Sequence, residues 1–276
     1  MSKTYSVIIP AYNEEKWLPR TLDALNTAMQ ETDRTGEIIV TDNNSTDKTG
    51  RIAHEYGARV VFEPIRQIAR ARNAGAKAAK GNWLIFLDAD TIITPAILKT
   101  ALKKLESGTC CGGGIRVDFG TVPSPFVQKV VDFWNMISLK FGLAAGSFVF
   151  CLREAFEAAG GFDEKVYASE EIGFSLKIRR WGQKRGMDFC IIRDEFIASS
   201  PRKLYWFSPV QTWLFSLSVF LIPFAPFSRT LCRLWYKRPS DPERAVPEEC
   251  PVSMKTAGWT GADDNPAYRH CPERNP

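Results

Sequence analysis

The sequence predicts an α/β protein built on a central, mostly parallel sheet with helices on both faces. Residues 5–93 alternate strand-length apolar runs with helical stripes, the pattern of parallel strands joined by right-handed crossovers. Trp83-Leu84-Ile85-Phe86-Leu87 is apolar throughout, as a strand covered on both faces must be. That run ends in Asp88-Ala89-Asp90, two carboxylates at the carboxyl end of a strand, where open α/β sheets bind their ligands.

The elements follow in order. Tyr5–Pro10 reads as the first strand, and Trp17, Leu18, Leu22 and Leu25 form the helical stripe after it. Glu37–Thr41 is the second strand, followed by Asp42-Asn43-Asn44-Ser45-Thr46-Asp47 and a helix to about Tyr56 that Gly57 ends. On residue type alone, Asp42 and Asp47 are a strand-end turn residue and a helix cap. Arg59–Glu63 is the third strand. Gln67–Lys80 is an alanine-rich helix closed by Gly81, and its small residues, Gly75 among them, point to close helix–sheet packing. Thr94-Pro95 opens a helix through Leu105, and Gly112–Asp118 is a strand. Pro125–Phe141 has a helical apolar pattern in Phe126, Val130, Phe133, Trp134 and Ile137. Gly146–Cys151 is a further strand, Gly160-Gly161 a helix C-cap and turn, and Ser169 the N-cap of a helix to Arg180.

At 276 residues the chain can bury one substantial core plus an extension. Its seven cysteines include no Cys-x-x-Cys pair, and two histidines complete no zinc set, so reduced thiols in a cytoplasmic protein are expected. The apolar run at Tyr5–Pro10 is too short for a signal peptide. The net charge of +5 is not spread as in a nucleic-acid-binding protein. Phe196–Arg238 holds six basic residues and no acid, and setting those six against +5 leaves −1 for the rest. That distribution suits an anionic membrane surface better than a DNA groove.

Strand alternation sends Asp88 and Asp90 to the same side. Two such carboxylates stay charged cheaply only beside a cation, and Mg²⁺ or Mn²⁺ shared with substrate phosphates meets that need. The plainer reading is an acidic turn. As strand-end groups they contribute little core, so removing Asp90 is expected to spare folding. The loop after the first strand, Pro10-Ala11-Tyr12-Asn13-Glu14-Glu15, has no glycine, which excludes a dinucleotide fingerprint and disfavours a sugar-nucleotide pyrophosphorylase.

Four motifs in order, Ser6–Glu15, Glu37–Asp47, Ala71-Arg72-Asn73-Ala74-Gly75 and Asp88-Ala89-Asp90, resemble the family 2 glycosyltransferases. The resemblance implies a GT-A type, Rossmann-like sheet, a nucleotide-sugar donor, most often a UDP-sugar, and Mn²⁺ or Mg²⁺. It implies Pro10, Ala11, Tyr12 and Glu14 around base and ribose, Asp42 on the base edge, Arg72 near the diphosphate, and Asp88 and Asp90 near ribose and metal. It also implies that Gly160-Gly161-Phe162-Asp163 borders the acceptor and that the acceptor's base stands at Glu171, where relatives carry an aspartate. Glu170 and Asp163 are its rivals. On residue type, Glu170 and Glu171 are first-turn acids that complement a helix dipole, and Glu170 is expected to matter less.

The expected organisation is a transferase domain over 1–200, an apolar and basic segment over 201–238 and a disordered tail over 239–276. Leu204–Ser228 carries no charge, yet Pro209, Pro223 and Pro226 leave Val210–Ile222 as the clean helical piece. At about 20 Å it falls short of a bilayer core, so it reads as interfacial at the inner membrane face or as a helix capping the domain. The expected reaction is metal-dependent, inverting transfer of a sugar to a saccharide or lipid acceptor. A polyprenyl-phosphate glycosyltransferase and a non-catalytic nucleotide-sugar-binding protein are the alternatives.

Overall fold

The computed structural model describes residues 4–206 together with Cys232. Its first half builds β1 (Tyr5–Ala11), α1 (Leu18–Gln30), β2 (Gly36–Asp42), α2 (Thr49–Glu55), β3 (Arg59–Phe62), α3 (Ile68–Ala78) and β4 (Trp83–Leu87). The second half adds β5 (Thr91–Ile92), α4 (Pro95–Glu106), β6 (Cys110–Asp118), α5 (Pro125–Phe141) and β7 (Phe148–Leu152). It ends with α6 (Arg153–Ala158), α7 (Glu170–Gln183), β8 (Asp188–Ser199) and α8 (Arg202–Tyr205). All eight strands form one sheet in the order β3-β2-β1-β4-β7-β6-β8-β5. The β3-β2-β1-β4 half is parallel, β7 is antiparallel to both β4 and β6, and β8 runs parallel to β6.

β4 is apolar throughout because each face meets a different core. Trp83, Ile85 and Leu87 pack with Leu18, Leu22 and Leu25 of α1 and Ile97, Leu98 and Leu102 of α4. Leu84 and Phe86 face Ala69 and Ala76 of α3, Ala155 of α6, and Phe174 and Ile178 of α7. On this second face Phe162 stacks on Phe174 at 4.1 Å between ring centroids and meets Phe86 edge-on at 5.0 Å. Truncating a ring buried in such a cluster costs about 3–5 kcal/mol. α3 lies close to the sheet because a Cβ on Gly75 would stand 2.4 Å from Ile8 Cγ2 and 2.6 Å from Thr41 Oγ1. The small residues of α3 are packing residues, as their composition indicated.

Thr94 and Ser124 cap α4 and α5 through bonds from Ile97 N and Val127 N, both 3.3 Å, with proline at the next position. Ser169 departs from expectation. It precedes α7 but sits in the left-handed region at φ 60°, and its side chain caps nothing.

α5 forms over the expected residues and turns the unexpected way. Phe126, Phe133, Met136 and Phe141 are exposed, whereas Val127, Val131, Asn135 and Ser138 face inward. Asn135 accounts for this orientation, because its amide bonds both Val117 N and Val117 O and so completes the edge of β6.

β8 has no clear alternation in sequence. The register passes from Ile115↔Ile192 directly to Arg116↔Phe196, so Arg193-Asp194-Glu195 bulge out of the ladder. Residue 200 falls between β8 and α8, and α8 packs back onto the sheet edge with Arg202 buried. The expectations for 207–228 and for the tail lie outside the described residues. Among the described residues no helix is long and apolar enough to cross a membrane. Cys110, Cys111, Cys151, Cys190 and Cys232 are free thiols.

Candidate active site

Parallel pairing of β1 with β4 brings the carboxyl ends of both strands to one edge of the sheet. There a small cleft, partly open to solvent, is lined by Pro10, Ala11, Tyr12 and Glu14 after β1 and by Asp88, Ala89 and Asp90 after β4. Asn43, Arg66, Ile68, Lys203 and Trp206 complete the lining. Arg66 lies 3.8 Å above the Tyr12 ring, a cation–π contact. Asn43 fixes the loop that carries Arg66: its Nδ2 donates to Ile65 O at 2.6 Å and its Oδ1 accepts from Gln67 N at 2.8 Å.

Asp42 and Arg72 do not line the cleft. Asp42 Oδ1 accepts from Ser45 N at 2.9 Å, a turn bond, and Asp47 Oδ1 accepts from Thr49 N at the start of α2. Arg72 is buried in α3 behind the strand ends. Its Nη1 donates to Glu170 Oε1 at 2.7 Å, and its Nη2 donates to Asp88 Oδ1 at 3.0 Å and to Gly146 O at 2.7 Å. Burial alone would lower its pKa, but Asp88, Glu170 and Glu171 outweigh that effect and hold the guanidinium charged.

A second arginine sits on the far side of the acids. Arg202 Nη2 donates to Glu14 Oε1 at 2.6 Å and to Asp90 Oδ2 at 2.9 Å, and Lys203 Nζ is 3.9 Å from the same Asp90 oxygen. Two of the six basic residues that pointed to a membrane surface are therefore committed to this site. Asp90, only 5% exposed, is a buried ion-pair partner. The expectation that its removal spares folding is corrected accordingly, since Asp90→Ala would take from the buried Arg202 one of its two carboxylate partners.

Glu170 and Glu171 open α7 in different surroundings. Glu170 is buried against Arg72, so it is a structural counter-ion and not the solvated cap its position suggested. A Cβ on Gly146 would lie 3.3 Å from Arg72 Nη2 and 3.7 Å from Glu171 Oε1, so glycine leaves room for both groups at this edge. Desolvation, reinforced by Glu170 and opposed by Arg72, pushes the Glu171 carboxyl up to about 8. Asp163 stands in a turn, its Oδ1 accepting from Lys165 N at 2.9 Å.

Among the described residues no three His, Cys, Asp or Glu side chains converge as a ready-made metal cage. The acids still fit a divalent cation completed by substrate oxygens. Asp88 and Asp90 both line the cleft, and five carboxylates (Glu14, Asp88, Asp90, Glu170 and Glu171) gather around three cations (Arg72, Arg202 and Lys203).

A mixed, mostly parallel sheet of this order, covered on both faces and carrying acids at the end of a central strand, is a GT-A type α/β fold. Two solved structures share it at 20% identity: a mannosyltransferase of Pyrobaculum calidifontis, TM-score 0.60 over 84% of this chain and 65% of that one, and glucosyl-3-phosphoglycerate synthase of Mycobacterium tuberculosis, TM-score 0.58 over 82% and 80%. The chain belongs to glycosyl transferase family 2, whose model matches residues 6–158. A glycosyltransferase of Haemophilus influenzae is 31% identical over 183 residues, 63% of this chain and 61% of that protein. The chain spans between 15% and 61% of the length of the curated relatives it matches.

Proposed function

We propose that the protein transfers a sugar from a nucleotide-diphosphate sugar to an acceptor hydroxyl with inversion at the anomeric carbon. The observation that carries this reading is the cleft at the ends of β1 and β4, lined by Pro10–Glu14 and Asp88–Asp90, in a chain of this family. The P. calidifontis structure is a complex with GDP-Man and Mn²⁺, and the M. tuberculosis structure a complex with UDP and Mn²⁺. Those complexes support a nucleotide-diphosphate donor and a divalent metal here, with a UDP-sugar as the specific donor proposed.

In this reading Pro10, Ala11 and Tyr12 serve the nucleoside from the cleft wall, with Asp42 beside Ala11 at the end of β2 supporting them from outside it, and the Arg66–Tyr12 pair closes that end of the cleft. Asp88 and Asp90 would hold the metal, which supplies Lewis-acid stabilisation of the departing diphosphate. Arg72 holds Asp88 in place and adds a fixed positive field beneath the leaving group. Glu171 takes the acceptor proton as the acceptor oxygen bonds to the anomeric carbon. The bond from that carbon to the diphosphate breaks at the same time, and its electron pair leaves with the nucleotide. Calorimetry against a panel of nucleotide sugars, with and without Mn²⁺, tests the donor and metal assignments together. UDP affinity should rise with Mn²⁺. Equal affinity without metal removes the metal assignment, and no binding by any nucleotide sugar removes the donor assignment.

A lipid acceptor has its own support. The exposed Phe126, Phe133, Met136 and Phe141 of α5 share one side of the helix with the exposed Lys129 and Lys140. Tyr205 of α8 donates to Thr121 O in the segment that leads into that helix. Anionic vesicles should bind the full-length protein at low ionic strength and release it as salt rises toward 1 M. Phe133→Ser combined with Phe141→Ser should weaken that binding. A protein that ignores such vesicles at low salt has no membrane face.

A further inference from the structure

Asp90 already has a cation, and the sheet puts it there. β5 follows Asp90 directly and pairs with the end of β8, with Thr91 opposite Ser199 and Ser200 N donating to Asp90 O at 3.0 Å. Two residues later Arg202 enters the acids. A single nitrogen, Nη2, serves both Glu14 and Asp90, while the buried Nε has no hydrogen-bond partner. Trp17 and Trp206 lie 5.5 Å and 5.9 Å from the guanidinium carbon and wall it from water. Arg202 is thus strongly attracted by charge and incompletely held by hydrogen bonds, a state from which it can turn to a better partner.

We propose that Arg202 is the resident counter-ion of Asp90 and competes with the divalent metal for that carboxylate. The inference rests on the nucleotide-sugar and metal reading above. In the empty enzyme Arg202 occupies the Asp90 oxygen that a metal would use, so metal alone binds weakly. A nucleotide diphosphate offers Arg202 and the neighbouring Lys203 phosphate oxygens of matching charge. Drawing Arg202 away frees Asp90, so metal and nucleotide bind as a pair and each raises the affinity of the other. The cleft is then protected from taking up metal without donor.

The test is Mn²⁺ binding to the full chain, followed by electron paramagnetic resonance without nucleotide and with UDP. Wild type should bind Mn²⁺ about tenfold or more tightly with UDP than without it. Arg202→Gln should bind Mn²⁺ alone about tenfold or more tightly than wild type, and UDP should then add little. Adding Asp90→Asn should cancel that gain. Should Arg202→Gln fail to fold, Arg202→Lys keeps the charge on a shorter side chain whose ammonium stops short of the place Nη2 takes between the two acids, and it should shift Mn²⁺ affinity in the same direction by less. Equal Mn²⁺ affinity in wild type and the Arg202 variants overturns the competition while leaving the metal reading intact. Absence of Mn²⁺ binding in every protein, even with UDP, overturns both.

Discussion

Glu171→Gln should lower turnover by about 10²- to 10⁴-fold, the usual contribution of a general base, while UDP binding stays unchanged. The amide keeps the size of the side chain and removes its ability to take a proton, so the loss should fall on the chemical step. The raised pKa adds a second readout. A base is active only when ionised, so kcat/KM of wild type should climb with pH toward about 8, the value to which burial and Glu170 push Glu171. That limb should vanish in Glu171→Gln. Stability should move the opposite way. The folded carboxyl holds its proton more tightly than the unfolded one, so its contribution is fully present below the unfolded pKa and is lost as pH rises through about 8. The melting temperature of wild type should therefore fall relative to Glu171→Gln from about pH 5 to pH 8 and then run parallel to it. Two outcomes sink the assignment: an unchanged pH–rate limb in Glu171→Gln, or a variant that turns over at the wild-type rate. Glu171→Asp checks the reach of the carboxylate and should retain partial activity.

The first half of the fold was legible because its physics is local. A strand covered on both faces shows itself as an unbroken apolar run, and Trp83–Leu87 is one. Thr94-Pro95 carries the cap and the first helical residue of α4 side by side. β8 was not legible, because the Arg193–Glu195 bulge places three polar residues in the middle of a strand that only its pairing with β6 reveals. The outward face of α5 was hidden for a related reason. A count of apolar positions cannot know that Asn135 must turn inward to satisfy Val117. At the site, the acids stood at strand ends and could be read from the sequence, but their partners could not. Arg202 is 112 residues from Asp90 and 188 from Glu14, so only the β5–β8 pairing brings it there. Its charge was visible, as part of a basic excess that suggested a membrane. Burial decided that Glu170 is a counter-ion, and burial is not a property of a first-turn position.

Arg72→Met should be as damaging to stability as truncating a ring of the buried phenylalanine cluster. Arg72 joins three elements, bonding Glu170 of α7, Asp88 at the end of β4 and the carbonyl of Gly146 before β7. Methionine matches much of its length and apolar stem but leaves Glu170 buried with no cation, at a cost of about 3–5 kcal/mol for a broken buried pair. For a domain of this size each kcal/mol moves the melting temperature about 2–4 °C, so a fall of about 6–20 °C is expected. Donor binding should fall too, since Asp88 loses the bond that holds it at the cleft. Glu170→Gln should cost less, about 1.5–3 kcal/mol, because the amide oxygen can still accept from Nη1. That exceeds the cost of losing a solvated capping acid, about 1 kcal/mol or less. The pair decides between a structural and an incidental contact. If the two groups act as one unit, Arg72→Met with Glu170→Gln should melt above Arg72→Met alone, since the second change removes the stranded charge. Strict additivity of the two effects, or an Arg72→Met melting point within about 2 °C of wild type, would show that the buried bonds contribute little to the fold.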